Sequence, residues 1–195
     1  MARVVWKENA LVSIKLRDDL YTIGQMLVSP SMRFYDIPSK DGIWKSVDLN
    51  YVKPLFQVFV GQVVMQKLVA EKVKEKTVVA SNSPFESLLI KPHVNYDGGF
   101  PWRGGKLVDI GLDGKIGTTL APVIKQNLDL PEDRETVEKY ELTNMWGDQD
   151  LTDRLCRYFD TGVNRDDLKF EVFPGLWDDR EKLRPLTRRL PVPLR

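Results

Sequence analysis

The sequence predicts an α+β fold: an N-terminal antiparallel β meander or partly open barrel, then a loop-rich middle, then a C-terminal helix and strand. Three observations carry this. Short runs of β-branched and aromatic residues, punctuated by turn residues, fill roughly the first 60 positions. Glycine and proline crowd the stretch from Ser81 to Thr119. A single well-signalled helical period lies near the C-terminus.

The first run is Leu11, Val12, Ile14 and Leu16, interleaved with Ser13, Lys15 and Arg17, close to period-two alternation. Arg17-Asp18-Asp19 supplies turn chemistry, and Tyr21 to Val28 resumes as a second strand. Ser29-Pro30-Ser31 breaks it, Met32 to Ile37 is a third extended piece, and Lys40-Asp41-Gly42 turns again. Leu55 to Met65 is the most apolar stretch and predicts a buried strand, with Gly61 at a bulge or bend. Gln66 to Lys76 suits a short helix or a longer strand, and strand is preferred as far as Val69.

In the middle, Leu107 to Ile110 reads as a short strand, and Thr118 to Asp129 as holding a brief helix around Val123, Ile124 and Leu128. Glu135 to Tyr140 is too short to assign. Asp148 is placed to cap a helix whose apolar face is Leu151, Leu155, Tyr158 and Phe159, ended by Thr161-Gly162. Leu168 to Phe173 alternates and predicts a final strand.

At 195 residues with 42% hydrophobic content, the chain suits a single domain, 1–195, with a core of its own. The pattern allows a subdivision into a β-rich half, 1–80, and an α+β half, 81–174, followed by a basic, proline-containing tail, 175–195. The net charge of +1 gives no global field toward nucleic acid or membrane. Cys156 is the one cysteine, so no intrachain disulfide forms. The opening residues lack a signal peptide's apolar stretch, and no apolar run nears the roughly 20 residues of a membrane span. The expected compartment is the cytoplasm.

The sequence offers no expected catalytic, cofactor-binding or metal-ligating residue. His93 and Cys156 are the sole histidine and cysteine, too few for a zinc site, and no orienting group accompanies them as a nucleophilic pair. Asp97-Gly98-Gly99-Phe100-Pro101-Trp102-Arg103-Gly104-Gly105 lacks the lysine and hydroxyl of a phosphate-binding loop and suits tight turns around a tryptophan. Asp148, Asp150 and Asp153 lack the glycine and distal glutamate of a calcium loop. Phe34, Tyr35, Phe56 and Phe59 lack the basic interleaving of a base-stacking platform, which argues against nucleic acid.

Charge is distributed unevenly. Between Gln126 and Asp153 there are nine carboxylates against Arg134 and Lys139 alone. From Arg180 to Arg195 there are six basic residues against Glu181 alone. Such polarity can steer a charged partner. It also suits two segments that pair with each other, or two solvated faces.

Val12-Ser13-Ile14-Lys15-Leu16, then Asp18 to Leu27 with Tyr21-Thr22-Ile23-Gly24-Gln25, then Met32-Arg33-Phe34-Tyr35-Asp36, and finally Leu55 to Val60, form a pattern of strands and turns. Over residues 8–80 that pattern resembles the immunity protein 26 family, which protects bacteria from polymorphic toxins. The resemblance implies a cytoplasmic, non-catalytic protein that binds and blocks a cognate toxin. A nuclease toxin, basic because it holds phosphates, would present a basic surface. The residues expected to meet it are Asp129, Glu132, Asp133, Glu135, Glu138 and Asp148, with Trp146 as an anchor or a core residue. The competing expectation is a non-catalytic adaptor or a subunit of a larger assembly.

Overall fold

The computed structural model describes residues 4–74, 76–94, 103–114 and 116–178. The chain divides into two compact units: Met1–Phe85 with Asn144–Gly162, and Glu86–Thr143 with Val163–Arg195. The first boundary lies near the predicted division at residue 80, but the segment 144–162 returns to the first unit rather than staying with the C-terminal half.

The first unit is built on a curled, mostly antiparallel sheet, a half-barrel with the strand order β5-β1-β2-β3-β4-β9. Its strands are β1 (Leu11–Arg17), β2 (Leu20–Met26), β3 (Ser31–Tyr35), β4 (Pro54–Val60), β5 (Val69–Lys72) and β9 (Met145–Trp146). The β1–β2 hairpin closes where expected, with Lys15 and Arg17 reaching Asp18 and Asp19 across the turn. β1 is buried along most of its length because both faces of the sheet are covered. Val12, Ile14, Met32, Phe34, Phe56 and Val58 join one core with Val64 of α1 (Gln62–Lys67) and Leu151 and Leu155 of α3 (Asp148–Thr161). Leu11, Ile23 and Tyr35 join another with Trp44 and Leu49 from the β3–β4 connection.

The expected strand from Leu55 to Met65 is corrected. It ends at Val60, and Gly61 starts α1. Gly61 donates its N–H to the Trp146 carbonyl at 2.9 Å, and a Cβ there would stand 3.2 Å from that oxygen, so the backbones approach at a glycine. The strand preferred through Val69 is corrected too: Gln66 and Lys67 are helical, and β5 begins at Val69. α3 matches the predicted helix in extent and in its left-handed end at Gly162, φ +77°, but the cap is corrected: Gly147 is the N-cap, and Asp148 is the first helical residue and makes no side-chain cap bond.

The second unit contains a three-stranded sheet of order β6-β7-β8: β6 (Leu88–Pro92), β7 (Gly105–Asp109) and β8 (Val123–Leu128). The brief helix expected within Thr118 to Asp129, around Val123, Ile124 and Leu128, is therefore corrected to a strand, in which the β-branched Val123 pairs with Val108 of β7. The unassigned segment near Glu135 forms α2 (Arg134–Lys139).

The final strand expected at Leu168 to Phe173 is a helix, α4 (Asp167–Val172). The side chain of Asp166 caps it by accepting from the Leu168 N–H at 2.9 Å. The alternating pattern misled because α4 is buried around most of its circumference. Even Lys169 is buried, its Nζ donating to the Val137 carbonyl at 2.8 Å. Leu168, Val172, Phe173 and Leu176 join Ile90, Leu107, Leu128 and Val137 in this unit's core.

Candidate partner-binding surface

β8 runs directly into the acidic stretch. The peptide after Leu128 folds back as a turn in which the Asp133 carboxylate accepts from the Asp129 N–H at 3.0 Å. The same carboxylate binds the Lys125 ammonium of β8 at 2.7 Å. That ammonium, with help from the backbone bond, holds the Asp133 carboxyl below the usual aspartate range. Asp133 is thus buried and acts as a brace between β8 and α2, not as a surface charge.

Asp129, Glu132, Glu135 and Glu138 are exposed. Glu138 lies 3.6 Å from Arg134, while among the described residues Glu132 and Glu135 meet no basic side chain in an ion pair. Both basic residues of the stretch also have contacts beyond the carboxylates. Arg134 donates to the carbonyls of Leu176 and Gly175, and Lys139 lies over the Tyr140 ring at 4.7 Å. Among the described residues, Asp129, Glu132 and Glu135 are thus exposed carboxylates without an ion-pair partner in the segment that follows β8.

Trp146 and Asp148 belong to the first unit and not to this surface. Trp146 is buried, stacked on Phe56 at 6.4 Å between ring centroids, with the Arg154 guanidinium over both rings. It is a core residue. Asp148 pairs with Lys67 at 2.9 Å, which lowers its pKa, and it sits in the first turn of α3.

Ile124, Leu120 and Leu112 are apolar residues of this region that the sequence reading missed. They are 57%, 84% and 81% exposed.

Polar chemistry also lies inside the first unit. Gln25, Arg33 and Gln57 occupy paired positions across β2, β3 and β4. Arg33 donates to the carbonyls of Ser83 and Pro84 and to Gln57, and Gln25 donates to the Ser81 carbonyl at 3.0 Å. The Tyr35 hydroxyl donates to Gln25 Oε1. This buried network clamps the segment 81–84 onto the sheet.

His93 lies just past β6 in the second unit, donating its N–H to the Gly104 carbonyl at 3.1 Å. Cys156 lies on α3 in the first unit, where burial pushes its thiol above the ordinary value. Of the glycine-dense loop, Asp97 to Trp102 lie outside the described residues, as does the basic tail from residue 179 onward. Among the described residues, no three His, Cys, Asp or Glu side chains come together as a metal site. No helix among them is long and apolar enough to cross a membrane.

These features define an α+β protein of two compact units with an acidic, partly apolar surface on the second. The chain belongs to the DUF8309 family, described as a domain of unknown function, whose model matches residues 1–178 and so spans both units. No curated protein and no solved structure matches the chain.

Proposed function

We propose that this chain is a cytoplasmic immunity-type protein, which binds a basic toxin and neutralises it by occupation, without catalysis of its own. The observation that carries this reading is the row of exposed carboxylates Asp129, Glu132, Glu135 and Glu138, mounted on a turn and helix braced by Asp133 and Lys125. Toxins that act on nucleic acid need basic surfaces to hold phosphates. A fixed acidic face speeds encounter with such a surface and covers the groups it needs. The resemblance of residues 8–80 to immunity proteins supports the same reading.

The test is co-expression. The protein encoded beside this chain's gene is expressed in a heterologous host, with and without the chain. The expected result is growth arrest that the chain relieves, and a direct complex that weakens by about tenfold or more in the Glu132→Lys/Glu135→Lys variant. Growth arrest that the wild-type chain does not relieve would sink the reading. Constant co-purification with an assembly that contains no toxin would instead identify an adaptor or subunit.

A further inference from the structure

β8 is the outer strand of its sheet, and among the described residues nothing pairs with its free edge. Ile124, Lys125, Gln126 and Asn127 are exposed in succession. An open strand edge is a template for another chain, and proteins guard such edges with bulges and above all with lysines. β8 carries register irregularities against β7, but its lysine is engaged elsewhere. Lys125 is the edge lysine, and its ammonium is held and neutralised by Asp133. Ile124 is 57% exposed, and Leu120, three residues before the strand begins, is 84% exposed, so apolar surface accompanies the open edge.

The neighbouring charge selects the occupant. Leu128 leads directly to Asp129, and Glu132 and Glu135 follow without basic partners among the described residues. We propose that the free edge of β8 receives an extended segment of the protein partner as an added strand, with an apolar side chain against Ile124 and basic side chains toward Asp129, Glu132 and Glu135. Main-chain hydrogen bonds would supply affinity, and the apolar and acidic neighbours would supply selectivity. This inference rests on the reading that the acidic surface meets a basic partner.

The probe is an eight-residue peptide of alternating lysine and valine, compared with its glutamate–valine counterpart, titrated into the isotope-labelled full chain. The expected result is hydrogen-exchange protection of the amides of residues 124–127 by the lysine peptide only. Its affinity should fall by about tenfold or more between low and high salt. Ile124→Thr keeps a β-branched residue and should weaken binding several-fold with an unchanged melting temperature. Protection elsewhere, equal binding of both peptides, no protection, or protection at 124–127 that appears with protein concentration alone (pairing of two copies) would each overturn the inference. The two proposals fail separately. A neutralised toxin whose complex leaves residues 124–127 unprotected removes the docking mode and keeps the function. Peptide docking at β8 without neutralisation does the reverse.

Discussion

Arg33 and Gln57 stand opposite each other on β3 and β4, and Arg33 Nη2 donates to Gln57 Oε1 at 3.1 Å. The guanidinium is buried and also serves the Ser83 and Pro84 carbonyls, so one side chain ties a strand pair to the segment that crosses it. Removing it leaves three acceptors without this donor inside the protein. Arg33→Met is expected to cost about 2–4 kcal/mol in urea unfolding. Arg33→Lys is expected to recover only part of the loss, because an ammonium lacks the planar fork. A melting curve unchanged by Arg33→Met would show that the clamp carries no net stability.

The pairing of Asp133 with Lys125 has a defined pH signature. Lys125, and then the Asp129 N–H, lower the Asp133 pKa below its ordinary value near 3.8. A carboxyl depressed in the folded state contributes stability above its unfolded pKa and loses it as pH falls through the folded pKa. The second unit is therefore expected to weaken below about pH 4, and Asp133→Asn should flatten that acid limb. Lys125 is half exposed, so the pair itself contributes less than about 1 kcal/mol at neutral pH. Hydrogen exchange of β8 amides against pH, in wild type and variant, checks this. An acid limb identical in both would refute the assignment.

Two glycines test different physics. Gly162 ends α3 at φ +77° with open space around it, so Gly162→Ala costs backbone strain alone, about 1 kcal/mol. Gly105 faces the Lys91 carbonyl, which an added Cβ would approach to 2.9 Å, and Ile90 stands 3.1 Å away. Gly105→Ala is expected to cost about 1–3 kcal/mol and to loosen the β6–β7 pairing. Thermal unfolding ranks the two. A smaller loss at Gly105 than at Gly162 would show that the second sheet gives way without strain.

Burial raises the Cys156 thiol, Asp160 and Asp153 add to the rise, and the Arg17 guanidinium opposes it. Little thiolate is then present near neutral pH, and reaction with a disulfide reagent is expected to be several-fold slower than for a free cysteine. The rate should keep climbing beyond the pH at which an ordinary thiol levels off. A fast reaction at neutral pH would instead mark an activated thiol.

The strands that local chemistry describes well were legible. β1, β2 and β3 are short alternating runs bounded by Asp18-Asp19 and by Ser29-Pro30, and a turn between two such runs is a local decision. The helix α3 was legible for a similar reason, since its apolar face and its terminal Gly162 are both encoded within one segment. β8 and α4 were not legible, because tertiary context decided them. β8 is exposed over most of its length and takes strand geometry by pairing with β7, while α4 buries even its Lys169, whose charge completes the alternation that reads as a strand.

The acidic stretch divides in the same way. That nine carboxylates crowd between Gln126 and Asp153 is a property of the sequence alone. Which of them remain at the surface is not, because Asp133 turns inward to Lys125, Asp148 departs with α3 to the first unit and Trp146 enters that unit's core. Composition and periodicity determined the fold class, the early strands and the main helix, since these follow from interactions between near neighbours. Long-range packing decided the open edge of β8, the buried Arg33 row and the identity of the exposed acids, since burial and pairing depend on residues far apart in the chain.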